Sequence, residues 1–109
     1  LTVELQGRGL GKDVALITDG RFSGVSHGIL IGHICPEAAD GGPLATVEDG
    51  DTIVIDPVSR TLDVAIDDSD LERRMATIGP RDVPDTIPQG SVLRRYARHV
   101  SSAHYGCVQ

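Results

Sequence analysis

Residues 13–24 read DVALITDGRFSG, and the fold of this 109-residue chain turns on how that stretch is taken. Asp13–Thr18 is a short apolar run that opens on a polar residue and ends at Asp19-Gly20, a turn signal, so it predicts a buried strand. A strand that empties into Asp-Gly-Arg-Phe-Ser-Gly puts polar groups at its carboxyl end, where ligands gather in α/β architectures. Gly20 and Gly24 permit positive φ and close backbone approach. Asp19, Arg21, Ser23, Ser26 and His27 bring a carboxylate, a guanidinium, two hydroxyls and an imidazole into nine residues, more than a turn requires. Each also has a structural reading. Asp19 is a natural turn residue, Arg21 can pair with an acid, the serines can cap the next element, and His27 can be an ordinary hydrogen-bonded histidine. It is their density that marks the turn.

Upstream, residues 1–12 carry Gly7, Gly9 and Gly11 and read as a lead-in loop. Downstream, Gly28–Ile34 (GILIGHI) is a second apolar run, too short and too broken by glycine for a helix. Pro36–Asp40 (PEAAD), with Pro at a start position and Gly41-Gly42 as a stop, predicts a short helix or a single turn. Pro43–Val47 is a candidate strand and Glu48–Asp51 a turn. Thr52–Asp56 and Thr61–Ile66 alternate, are rich in β-branched residues, and predict a hairpin about Pro57–Arg60. Asp67-Asp68-Ser69 caps a helix over about Asp70–Thr77, with acids early and Arg73-Arg74 late. Gly79–Gly90 contains Pro80, Pro84 and Pro88 and reads as an extended connector. Ser91–Ser102 sets Val92, Leu93, Tyr96, Ala97 and Val100 on one stripe, a packing helix. The sum is an α+β or α/β domain with a small, barrel-like sheet and two or three flanking helices.

The bulk numbers bound the function. With 39% hydrophobic and 24% charged residues the chain is an ordinary soluble globular one. One Phe, two Tyr and no Trp leave the core to Val, Ile, Leu and Ala. A net charge of −6, with Lys12 the single lysine, argues against nucleic acid and anionic membranes as partners. No apolar stretch reaches membrane-spanning length and no signal-peptide pattern is present. Cys35 and Cys107 match no disulfide framework or metal spacing, which points to a reducing, cytoplasmic setting. His33, inside an apolar run, reads as a hydrogen-bonded core residue; with only Cys35 nearby it has too few companions for a metal. Glu48, Asp49 and Asp51 lack the spacing of a cation loop. Asp67, Asp68 and Asp70 read as a solvated helix start. The chain opens at Leu1 with no initiator Met, and we expect it to be a piece of a longer polypeptide.

Two blocks then carry a resemblance. LITDGRFSG followed by SHG, and IGHICPEAADGGPLATVEDGDTIVID, resemble the C-terminal domain of the dihydroxy-acid dehydratase and sugar-acid dehydratase family. The family signature T-D-[GA]-R-x-S-[GA] matches Thr18–Gly24 at each position. The DGD-x-I-x-ID hairpin, the D-x-x-L-x-x-R helix and the tail VSSA continue the likeness over nearly the whole chain. Phe22 and the H-G-x-x-x-G-H-I-x-P-E-A run look closest to the dihydroxy-acid dehydratases of branched-chain amino-acid synthesis. Sugar-acid enzymes often carry D-A-R where this chain has Asp19-Gly20-Arg21, and phosphogluconate dehydratases differ after the serine. The ending His104-Tyr105-Gly106-Cys107 departs from the family pattern.

The resemblance implies a hydro-lyase that dehydrates a small 2,3-dihydroxy carboxylic acid to a 2-oxo acid. The family's proton acceptor is the signature serine, which falls on Ser23. Ser26 and Arg21 are then substrate-contacting candidates, Arg21 alternatively bracing the turn. A serine is a poor base unless donors or a cation stabilise its alkoxide, a task for the N–H groups of the glycine turn and a nearby Mg²⁺. The iron–sulfur cluster that withdraws the 3-hydroxyl and the Mg²⁺ that holds substrate belong to a larger N-terminal domain, so the isolated chain is expected to bind neither and to be inactive. The implied fold of residues 1–109 is a β/β/α swivelling domain in a homodimeric or larger assembly. The competing readings are a sugar-acid or phosphogluconate dehydratase, and a non-catalytic binding domain that keeps only the fold.

Overall fold

The computed structural model describes residues 1–24, 27–78, 83 and 85–108. It contains an antiparallel hairpin. Strands β3 (Ile53–Asp56) and β4 (Thr61–Val64) pair antiparallel, Ile53 opposite Val64 and Asp56 opposite Thr61. The Asp56 carboxylate closes the turn, accepting from Val58 N at 2.8 Å, Ser59 N at 3.1 Å and Ser59 Oγ at 2.6 Å. A β-branched alternation flanking a self-capped turn is enough to fix this register.

The second ladder is shorter and non-local. Strand β1 (Leu16–Ile17) lies parallel to β2 (Leu30–Ile31), with Leu16 N donating to Ile29 O and Thr18 N to Ile31 O, both at 2.9 Å. Both strands are half-buried rather than fully buried. Among the described residues the two ladders stay separate, so an α+β arrangement is present but no closed barrel forms.

Residues 1–12 are not a plain loop. They form helix α1 (Thr2–Gly7) and a 3₁₀ turn, Leu10–Lys12. Thr2–Gln6 holds no glycine, and Arg8 Nη2 reaches Glu4 Oε1 at 2.7 Å one turn away; the glycines only stop the helix. Pro43–Thr46 is likewise a 3₁₀ turn and not a strand. Pro43 sits at its first position, where its fixed φ suits a helix, and Thr46 Oγ1 donates to Pro43 O at 2.7 Å. The predicted turn at Ala38–Asp40 is a 3₁₀ turn.

Helix α2 (Asp68–Thr77) starts two residues earlier than the sequence pattern suggests, with Asp67 as N-cap. Arg74 ties it to the preceding turn. Its guanidinium donates to Asp51 Oδ2 at 2.6 Å and Oδ1 at 3.2 Å, to Asp70 Oδ2 at 3.0 Å, and to Thr46 O at 3.1 Å. Helix α3 (Val92–His99) is capped by Ser91, whose hydroxyl accepts from Arg94 N at 3.2 Å. Of the proline connector before it, Gly79–Gly90, residues 79–82 and 84, with Pro80 and Pro84 among them, lie outside the described residues.

The expected Val/Ile/Leu/Ala core does not form. Among the described residues no hydrophobic side chain is buried, whereas Thr46 and Arg94 are. The α3 stripe faces outward, with Val92 71% and Leu93 65% exposed, and His33 is an exposed left-handed residue (φ 58°) rather than a core one. The radius of gyration is 16.1 Å, against about 13 Å for a compact chain of this length. The accessible surface is 8259 Å², where a compact protein of this size exposes about 5,800 Å². The physical reason is that the ladders are too small to cover one another, so the apolar stripe of α3 has no partner among the described residues.

Candidate functional site

The signature turn leaves the carboxyl end of β1 and is fixed from one side. Gly20 N donates to Thr18 Oγ1 at 3.0 Å, closing the bend locally. Two carbonyls of the turn, Thr18 O and Gly20 O, accept from Ile34 N at 3.2 Å and His33 N at 3.0 Å. Between them the Asp19 carboxylate accepts from Ala38 N at 2.9 Å, part-buried, nineteen positions along the chain. Thr18–Gly20 is therefore held on three consecutive residues by the segment 33–38.

Phe22 anchors the far side of the turn. A Cβ built on Gly32 would lie 3.4 Å from the Phe22 ring, so the ring already packs on the bare α-carbon. Gly24 follows at φ 82°, a conformation that carries no Cβ penalty only in glycine. Ser23, between an anchored ring and a left-handed glycine, is turned outward and exposed. Its hydroxyl accepts and donates no hydrogen bond among the described residues, including from the backbone of the glycine turn.

Ser23, Arg21 and Phe22 line an open cleft of about 410 Å³ together with Leu16 and Ile17 of β1, Thr18, and Leu1 and Thr2 at the start of the chain. That volume falls within the range of small-molecule sites. Arg21 is exposed and forms no ion pair among the described residues, so the acid-paired reading of it is not what the geometry gives. His27 is exposed and does not line the cleft. Ser26, the other substrate-contacting candidate, lies outside the described residues.

The segment that holds the turn is itself anchored at the other end of the chain. Glu37 Oε1 accepts from Ala103 N at 2.7 Å and Ser102 Oγ at 3.0 Å, where the tail forms a 3₁₀ turn, Ala103–Tyr105. These donors, Ala103 N–H first, then the backbone N–H of Glu37 and the Ser102 hydroxyl, hold the Glu37 carboxyl below its ordinary value. Its Oε2 is enclosed and has no hydrogen-bond partner among the described residues. Sequence reasoning missed Glu37. The only local signal is a glutamate following Pro36 before a turn, and its partners lie 65 and 66 positions away.

No cluster of three His, Cys, Asp or Glu side chains gathers among the described residues. Cys35 and Cys107 are free thiols, Cys35 exposed, with Sγ 3.3 Å from His33 O. Among the described residues no helix is long and apolar enough to cross a membrane.

A glycine-rich turn at the end of a parallel strand, with a serine that has no hydrogen-bond partner among the described residues beside a cleft of metabolite size, marks a small α+β domain with a candidate ligand site. Its relatives specify it further. The family described as dihydroxy-acid/6-phosphogluconate dehydratase C-terminal matches residues 1–107, and the chain belongs to that family. It is 53% identical over 108 residues to a dihydroxy-acid dehydratase of Nitratidesulfovibrio vulgaris, a match covering 99% of this chain and 19% of that protein. It is 51% identical to the mitochondrial dihydroxy-acid dehydratase of Saccharomyces cerevisiae, over 95% of this chain and 17% of that protein, and 53% identical to that of Schizosaccharomyces pombe over the same shares. The chain thus spans about a fifth of the length of the curated relatives it matches.

Proposed function

We propose that this chain is the C-terminal domain of a dihydroxy-acid dehydratase, a hydro-lyase that converts a 2,3-dihydroxy carboxylate to a 2-oxo acid, with Ser23 as proton acceptor. The observation that carries the reading is Ser23 itself, exposed and unpartnered on an anchored turn at a cleft, in a chain half identical to dihydroxy-acid dehydratases along its length. In this reaction the Ser23 alkoxide takes the proton from C2, the C2–H electron pair forms the C2–C3 double bond, and the 3-hydroxyl leaves with the C3–O pair, becoming water with one proton as Ser23 gives one up to return to the alkoxide. The resulting enol gains a proton at C3 as its 2-hydroxyl loses one, giving the ketone. Arg21, free of ion pairs among the described residues and lining the same cleft as Ser23, is suited to the substrate carboxylate. Ser26 is proposed as a second substrate contact.

The Lewis acidity that the 3-hydroxyl needs would be supplied by an iron–sulfur cluster, and the charge that holds substrate by Mg²⁺, both proposed to sit on an N-terminal domain. The same domain, or a second copy in a homodimer, is proposed to cover the exposed stripe of α3. The excess surface of roughly 2,500 Å² matches the size of permanent interfaces. A swivelling β/β/α barrel would arise if the two open ladders were completed in that assembly. The two unpaired cysteines favour a reducing, cytoplasmic setting.

Ser23→Ala in the full-length protein tests the assignment. Turnover of the dihydroxy acid should fall by at least about a thousandfold while iron and Mg²⁺ content stay normal. Activity kept within a few-fold would leave the chain a binding domain with a dehydratase fold.

A further inference from the structure

We infer that Asp19 and Glu37 are positioning residues for Ser23, two carboxylates that clamp the segment 33–38 between the signature turn and the C-terminal tail. The inference rests on the assignment of Ser23 as proton acceptor. It also goes beyond that assignment, because it makes residues 101–108 part of the scaffold of the site.

The three tethers on Thr18, Asp19 and Gly20 all come from residues 33, 34 and 38. Two of them are backbone bonds that any sequence could make. The third is the Asp19 side chain, a charge-assisted bond to one N–H and roughly twice as strong as a neutral one. Asp19 does not pair with Arg21, two residues along, so it does not serve to neutralise that cation. The clamp works only if 33–38 is rigid, and three features make it so. Glu37 O accepts from both Asp40 N and Gly42 N at 2.9 Å. Gly42 is buried against Pro36 with no room for a Cβ. The Glu37 carboxylate grips Ser102 and Ala103. Cys35 Sγ lies 3.9 Å from Ser102 Oγ at the same junction. Ser23 makes no bond of its own among the described residues, so its place relative to a substrate is set by the turn alone.

A group displaced by about 1 Å can cost roughly a hundredfold in rate. In the full-length enzyme Asp19→Ala is expected to lower kcat by about 10- to 100-fold with KM within about threefold. Cluster and Mg²⁺ content should not change. Asp19→Asn should recover most of the loss, since its carbonyl oxygen still accepts from Ala38 N. Glu37→Ala should lower kcat in the same manner, Glu37→Gln should restore it, and the Asp19→Ala/Glu37→Ala double variant should lose less than the product of the single losses, because both act through one segment. A merely structural role would lower the melting temperature and leave kcat intact well below it. The inference is overturned if either alanine variant keeps kcat within twofold, if the Asn and Gln variants are no better than Ala, or if the two losses multiply independently. Should Asp19→Ala fail to fold, the Glu37 pair decides the matter by the same criteria. Ser23→Ala run alongside separates the two readings: a dead Ser23→Ala with a fully active Asp19→Ala sinks the clamp alone, and an active Ser23→Ala sinks the assignment of the base.

Discussion

Gly41 and Gly42 are adjacent and are required for opposite reasons, which makes them a sharp test of the geometry. Gly42 has φ −66° and ψ 159°, angles any residue adopts, but it lacks space. A Cβ there would overlap the Pro36 carbonyl oxygen, lie 2.5 Å from the Pro36 carbonyl carbon and 3.0 Å from Glu37 O. Ordinary contact is about 3.5 Å and the carbonyl oxygen is the nearer atom, so Pro36 would have to retreat by about 1.5 Å. Overpacking of this kind costs about 1–3 kcal/mol. Gly41 is the reverse, with nothing within 4 Å of its Cβ direction but φ 77°. Alanine there costs about 1–2 kcal/mol of left-handed strain, and asparagine, which tolerates that region, costs less. Thermal melting and kcat of the full-length protein should therefore rank Gly41→Asn above Gly41→Ala and both above Gly42→Ala and Gly42→Asn. Gly42→Ala should also lose turnover, because the retreat of Pro36 carries Ala38 N away from Asp19. A Gly42→Ala protein that melts and turns over like its parent, or a Gly41→Asn protein worse than Gly42→Asn, would show that the 33–42 segment is not packed as described.

The polar contacts set two further outcomes. Glu37, Asp51, Asp56 and Asp70 all have carboxyls held below their ordinary values, by Ala103 N–H, by Arg74, by Ser59 and by Arg73 respectively as the leading causes. A depressed folded-state value contributes stability above the ordinary value, 4.5 for Glu37 and 3.8 for the aspartates, and loses it as pH falls below. The urea midpoint should be flat from neutral pH to about 5 and drop below about 4.5, and Glu37→Gln should remove the earliest part of that drop. A midpoint that rises on acidification would refute the sign. Arg74→Lys should fail to replace Arg74, since one ammonium cannot serve both oxygens of Asp51 along with Asp70 and Thr46. The variant should unfold at lower urea than Arg73→Lys, whose exposed pair with Asp70 is worth little; the reverse order would mean that Arg74 does not join α2 to the 46–51 turn.

What could be read from the sequence was what is decided locally. The β3–β4 hairpin needs only its alternation and Asp56, and α2 needs only acids before and arginines after. Pro43–Val47 failed as a strand because proline at the first position of a 3₁₀ turn and at a strand start look alike, and the deciding bond, Thr46 to Pro43 O, is a side-chain choice. The α1 helix was hidden by glycines that end it rather than interrupt it. The stripe on α3 was legible as a stripe, but periodicity says only that a face is apolar, not what covers it. Hence Val92 and Leu93, expected in a core, stand in solvent in this chain.

The site shows the same division. Ser23 was singled out by a dense polar turn and a family signature, and the structure adds what flanks it: Phe22 packs on Gly32 on one side and Gly24 takes a left-handed φ on the other. Asp19 was ambiguous in sequence because a turn aspartate and a working aspartate are written identically, and only the position of Ala38 N resolves it. An exposed serine with no hydrogen-bond partner is a hydroxyl, not a base. Among the described residues no backbone N–H reaches Ser23 Oγ to act as a donor that would make it one. On the proposed role of Ser23, its activation would come from a group facing the open side of the cleft, and the tethers on Thr18–Gly20 would fix where that group must arrive.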